Sequence, residues 1–167
     1  MRYWVLASAV LASAAFAGEA TPGWQFYQDK EATNGLLIAF VQSEDGTQLM
    51  LKCDKAGKNK VYAVIISQKK LAAPANKDVM RKISLRFDGG SVDDDRWRYF
   101  ANTAKAVDYP GERSLGRLLE KMVDAKQLDV LLDPTDAQPI SVSFDVHDSR
   151  LAIDEVFKSC KDQNPLD

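Results

Sequence analysis

The chain reads as an antiparallel α+β domain, mainly β, with two helices packed on one side of the sheet. Three observations carry that expectation. Segments with an apolar period of two come first and fill most of the chain. Helical spacing first appears at Leu115, so strands and helices do not alternate as a parallel sheet requires. The only two cysteines, Cys53 and Cys160, fall on the apolar faces of a strand and of the last helix.

The N-terminal residues 1–17 read as an export signal rather than as part of the domain. Arg2 precedes an apolar stretch over residues 3–11, and Ala15-Phe16-Ala17 supplies the small residues a signal peptidase reads. The stretch is short for a membrane span of about 20 residues, and no Cys follows for lipoprotein processing. Cleavage after Ala17 and a bacterial periplasmic location are expected, with no transmembrane segment in the mature chain. Residues 18–23 are then a flexible lead-in, residues 24–162 a single β-rich domain, and residues 163–167 a C-terminal tail.

Residues 24–28 alternate and predict a first strand. Residues 36–42 and 48–53 flank Ser43-Glu44-Asp45-Gly46, a hairpin signal because Asp-Gly accepts positive φ. Leu49, Leu51 and Cys53 share a face. After a basic turn over residues 54–60, the apolar run 61–66 predicts a central strand. Residues 67–82 read as a long loop with Pro74. Ile83, Leu85 and Phe87 then point inward, and Ser84, Arg86 and Asp88 outward. Asp88-Gly89-Gly90 ends that strand, and Asp93-Asp94-Asp95 reads as a solvated acidic turn before a strand over residues 96–101.

Leu115, Leu118, Leu119, Met122 and Val123 predict an amphipathic helix, with Ser114 as its cap. Residues 127–132 and 140–146 are two further strands. Asp148 or Ser149 caps a last helix whose stripe is Ile153, Val156, Phe157 and Cys160. The tally is six strands, a helix, two strands and a helix.

Composition narrows the function. With 22 Lys+Arg, 24 Asp+Glu, one His and two Cys in 167 residues, the chain is no zinc module, disulfide-dense toxin or basic nucleic-acid binder. No cofactor, metal or nucleic-acid partner is expected. In an oxidising compartment Cys53 and Cys160 read as a disulfide, worth up to about 4.7 kcal/mol, less any strain, for a loop of about 100 residues. Two buried thiols or a redox pair are the alternatives.

Few residues suggest chemistry. Ser143, His147 and Asp148 are the only material for a nucleophilic triad, but no strained Gly-rich turn carries the serine. His147 reads as a surface residue. Asp88, Asp93, Asp94 and Asp95 lack the ligand spacing of a calcium loop. Trp24, Tyr62, Trp97, Tyr99 and Phe100 read as core or cross-strand pairs before an aromatic binding surface. Lys52, Lys55, Lys58 and Lys60 cluster at one hairpin end, as a solvated turn or as a patch for an anionic lipid or peptidoglycan partner. Arg86, Asp88, Arg96 and Arg98 are either a cross-strand charge ladder or a binding face.

One ordered pattern goes further. Leu49-x-Leu51-x-Cys53 leads to Val61-Tyr62-x-Val64, then Ile83-x-Leu85-Arg86-Phe87-Asp88-Gly89 and Trp97. Leu128-x-Val130, Phe144-Asp145-Val146, Ala152-Ile153 and Val156-x-x-x-Cys160 close it. Over roughly residues 24–160 it resembles the β-rich periplasmic domain of type VI secretion-associated proteins of the VasI kind and of related small periplasmic proteins. The resemblance implies a β-sandwich-like domain, a strand-to-terminal-helix disulfide and a non-enzymatic accessory role. Those proteins carry a further cysteine-containing segment ahead of this domain. Here Trp24 follows the signal directly, so the fold transfers better than the secretion role.

The expected function is therefore a non-catalytic periplasmic protein that binds a protein or envelope component through a sheet face or edge. A small-molecule or lipid carrier, which needs a closed apolar cavity, is the alternative. An envelope hydrolase using His147 or a carboxylate pair ranks last.

Overall fold

The computed structural model describes residues 23–28, 35–72, 78–109 and 112–167. The expected signal over residues 1–17, residues 18–22 of the lead-in, and Pro74 lie outside them. The strands are β1 (Gln25–Gln28), β2 (Leu37–Gln42), β3 (Gln48–Lys52), β4 (Tyr62–Ile66), β5 (Val79–Phe87), β6 (Val92–Phe100), β7 (Thr103–Ala106), β8 (Asp108–Tyr109), β9 (Glu112–Arg113), β10 (Gln127–Leu132) and β11 (Ile140–Asp145). The helices are α1 (Ser114–Met122) and α2 (Ser149–Cys160). Nine strands make one antiparallel sheet in the order β1-β2-β3-β4-β7-β6-β5-β10-β11, and β8 pairs with β9. The mainly-β, sandwich-like architecture with two late helices is as the sequence predicts.

The period of two sets the core. Ala39, Val41, Leu49, Leu51, Ala63 and Ile65 share the inner face with Ile83, Leu85, Trp97, Tyr99, Leu128, Val130, Val142 and Phe144, and all are buried. The β2–β3 turn forms because Gly46 takes φ +82° while the Asp45 carboxylate accepts from the Ser43 hydroxyl and the Thr47 N–H. The β5–β6 turn uses Asp88 and Gly89 at φ +48° and +70°. There the Asp88 carboxylate accepts the N–H groups of Lys126 and Gln127, tying the turn to the start of β10.

Helix α2 lies over β2 and β3. Cys160 on its apolar stripe is disulfide-bonded to Cys53, with Cα atoms 6.2 Å apart across 107 positions of sequence. The alternative of two buried thiols therefore falls away. The last residues fold back on the helix: Asn164 is buried and donates to Asp154, and Leu166 packs against the core.

Several local expectations are corrected. The segment 67–82 is not loop throughout, since β5 begins at Val79. The strand expected at residues 96–101 is β6, which begins at Val92 and includes the acidic run. Asp93 and Asp95 share the face of Trp97 and reach α1, Asp93 meeting Lys121 and Asp95 meeting Arg117 at 2.6 Å. Asp94 turns to the other face, to Ser84 and Lys82. These pairings hold a strand that Asp alone disfavours. Strands β7, β8 and β9 were not anticipated. Ser114 does not cap α1. The Asp108 carboxylate on β8 accepts the N–H groups of Leu115 and Gly116 instead. At α2 Asp148 is the N-terminal flanking residue, but its side chain makes no capping bond.

The sheet curls until its ends meet. The last strand, β11, packs against β2 near the opposite edge. The Trp24 indole N–H donates to the Val146 carbonyl at 3.4 Å across that closure.

Candidate functional site

The curl leaves a seam. Strand β1 pairs with β2 only as far as Phe40, so Val41 and Gln42 run on without a β1 partner. Among the described residues β11 pairs with β10 alone. Between them lies a cleft of about 620 Å³, lined by Gly23, residues 41–45, Lys126, Gln127 and residues 141–145.

Hydrogen-bond phase decides what the cleft offers. The Val146 N–H donates to the Lys126 carbonyl at 2.8 Å. In an antiparallel pair every second residue bonds to the same neighbour. Phe144 and Val142 therefore bond to β10, opposite Leu128 and Val130. The backbone N–H and C=O of Ser141, Ser143 and Asp145 turn away from β10, to the cleft side. Across the seam the Ser43 N–H donates to Thr47, which assigns the odd residues of β2 to β3 and turns the Gln42 backbone to the same side. The cleft thus lies between two stretches of strand edge.

Side chains follow the same alternation. Val142 and Phe144 are buried, and Ser141, Ser143 and Asp145 are exposed. The Ser143 hydroxyl donates to Asp129 at 2.9 Å, and Asp129 also accepts from Gln127 and Arg86. Of these contacts the Gln127 hydrogen bond does most to hold the Asp129 carboxyl below its ordinary value. Ser143 and Arg86 add to it, against a smaller upward push from burial.

The imagined triad is not assembled. The exposed imidazole of His147 sits with Nδ1 2.5 Å from Asp145 and Nε2 3.5 Å from Asp148. The hydrogen bond to Asp145 is the main reason its pKa is raised. Ser143 is engaged with Asp129, and the buried Ser149 hydroxyl donates to the Met122 carbonyl. His147 borders a recess of about 260 Å³ with Trp24, Phe26 and Leu151.

The four residues of the expected binding face are not a ladder. Arg86 stands opposite Val92 and Asp129 and binds the latter at 3.0 Å. Arg96 stands opposite Lys82, and Arg98 binds Asp78 at 3.4 Å. Asp88 is in the turn, occupied with backbone. Arg86, Arg96 and Arg98 do share the outer face of β5 and β6. The aromatics also divide: Trp97 and Tyr99 are core, Phe100 is exposed, and Tyr62 lies under the Lys105 ammonium at 3.4 Å. Burial pushes the Tyr99 hydroxyl up to about 12. Lys52, Lys55, Lys58 and Lys60 flank the disulfide.

Gln42, Glu44 and Ser141 were not singled out by sequence reasoning. The available signal was the run 140–145, whose outward positions carry only short polar side chains, Ser, Ser and Asp.

These features define a curled antiparallel sheet domain with a disulfide-pinned terminal helix and an open seam between its two ends. The YfjT family model matches residues 23–151, and the chain belongs to the YfjT family. That match takes in both walls of the seam, His147 and Cys53, and stops within α2 before Cys160. No curated protein and no solved structure matches the chain.

Proposed function

We propose that the protein is a non-catalytic binding protein of the bacterial periplasm. It takes up an extended segment of an envelope or secretion-system protein as an added strand along β11. The observation that carries this reading is the edge of β11, which among the described residues pairs with β10 alone, with the backbone of Ser141, Ser143 and Asp145 turned to the cleft. Strand addition draws its affinity from such main-chain groups and its selectivity from alternate side-chain pockets. A peptide in the seam also relieves an unpaired edge.

The other features agree with this assignment. A joined Cys53–Cys160 pair suits an oxidising compartment. No helix among the described residues is long and apolar enough to cross a membrane. Among the described residues the His147 imidazole engages two carboxylates and no hydroxyl, which favours binding over hydrolysis. The interior is filled by Trp97, Tyr99 and Phe144, which favours a protein ligand over a carried small molecule. The resemblance to VasI-kind periplasmic domains supports an accessory role.

Site-specific photocrosslinking in cells tests the proposal. A photoreactive residue at Ser141 should give a discrete adduct with one envelope protein. The same group at exposed Phe100, at the end of β6 and away from the cleft, should give none. Ser143→Pro deletes an N–H that does not serve β10, so it should leave the fold intact and abolish the Ser141 adduct. Equal labelling from both positions, or an adduct indifferent to Ser143→Pro in a folded protein, defeats the reading.

A further inference from the structure

The seam lies at one end of the β2–β3 hairpin, and lysines gather at the other. Lys55, Lys58 and Lys60 stand in the segment between β3 and β4, while Lys158 and Lys161 stand at the end of α2. All five are exposed. The fold brings them together from distant sequence through three ties. Cys53 is bonded to Cys160, the Gly57 N–H donates to the Cys160 carbonyl at 2.7 Å, and the Asp162 carboxylate accepts the N–H groups of Asn59, Lys60 and Val61.

The same ties engage the local carboxylates away from these lysines. Both Asp162 oxygens are spent on backbone N–H groups. Asp54 is held by Lys52 and by the Tyr62 hydroxyl. Among the described residues, Lys55, Lys58, Lys60 and Lys161 form no ion pair, and Lys158 only approaches Glu155 at 3.8 Å. In a chain of net charge −2 this is a local concentration of cations, which composition hides.

We infer that this lysine end docks on an anionic phospholipid surface. The patch holds no arginine. Arginine forks suit shaped, bidentate recognition, whereas lysines are hydrated point charges suited to attraction by a charged plane. The recess beside it, about 220 Å³ and lined by Lys55, Lys60 and Lys105, also carries Asp54 and Asp108. Those acids disfavour one tightly held anion there and leave the exposed lysines as the contact. Docking this way sets an orientation. Helix α2 runs from the seam, at Ser149, to the patch, at Cys160, so the cleft points away from the bilayer and stays open to a protein ligand.

Cosedimentation of the purified protein with vesicles tests this. Phosphatidylcholine vesicles with about one third phosphatidylglycerol should bind it at low salt, and pure phosphatidylcholine vesicles should not. Raising salt from about 0.1 M to about 1 M shortens screening from about 10 Å to about 3 Å and should release it. Lysines near such a surface contribute about fivefold each, so Lys58→Glu with Lys161→Glu should lower partitioning at least about 25-fold. The charge-matched Lys69→Glu with Lys70→Glu, on the exposed segment after β4, should leave partitioning within about twofold of the unmodified protein. Absent binding to the anionic vesicles, or equal binding to both vesicle types, overturns the inference. So does an equal loss in the two double variants, which assigns the effect to net charge. Retention on immobilised heparin without vesicle binding overturns it too, in favour of a soluble polyanion.

Discussion

Asp145 and His147 are two residues apart at the end of β11, and each shapes the other. The carboxylate accepts from the imidazole at Nδ1 and raises its pKa above the ordinary 6.5. The folded protein therefore holds that proton more tightly than the unfolded chain. The resulting stabilisation is present in full below pH 6.5 and is lost as pH rises through the higher folded value. The imidazole resonances should accordingly titrate above 6.5 in NMR, and Asp145→Asn should bring the midpoint down. Asp148→Asn should shift it less, because that carboxylate stands 3.5 Å away. A midpoint at or below 6.5 in the unmodified protein would show that the Asp145 contact does not form. The exposed position of His147 was legible from strand parity. Its partners were not, because the turn after β11 bends the ring back onto Asp145, and parity does not encode a turn.

At the scale of elements, apolar periodicity was readable wherever a segment buries large side chains against one neighbour. Helices α1 and α2 and strands β2 to β4, β10 and β11 fall in that group. Strand β7 does not, because Thr103-Ala104-Lys105-Ala106 has no large apolar residue. It belongs to the sheet because Ala104 and Ala106 are small enough to lie buried between β4 and β6. The acidic half of β6 was hidden for a different reason. Its carboxylates are matched by Lys82, Arg117 and Lys121, partners supplied only by tertiary structure. The cap of α1 is likewise non-local, since Asp108 sits on another element. Asp108→Ala should therefore destabilise the protein by about 1 kcal/mol in urea unfolding, the usual worth of an N-terminal cap. Ser114→Ala, which removes no capping bond, should cost less. The reverse order would restore Ser114 as the cap. The disulfide was readable because both periodicities point inward. Its reduction, or Cys53→Ser with Cys160→Ser, should lower unfolding free energy by about 2–5 kcal/mol. A loss much under 1 kcal/mol would mean that the apolar stripe of α2 holds the helix unaided.

At the scale of the whole molecule, the seam depends on curvature. Curvature sums the twist of nine strands, and no single strand states it. The sequence therefore shows β11 as a strand but not as an edge facing β2. Two closures are physically distinct. If β11 bonded to β2 the sheet would be a barrel, and every amide of β11 would be protected. With the seam open only every second amide is held. Hydrogen exchange separates the two. The Val142 and Phe144 amides, bonded to β10, should exchange slowly, near the global unfolding limit. Those of Ser141 and Ser143, turned to the cleft, should exchange orders of magnitude faster. An extended ligand in the cleft should slow Ser141 and Ser143 while leaving Val142 and Phe144 unchanged, because it adds bonds on one side only. Trp24→Phe removes the indole bond to Val146 and should speed exchange at Val146 and its neighbours without altering the alternation. Uniform protection along β11 in the free protein would show a closed barrel, and the strand-addition site would then have no edge to offer.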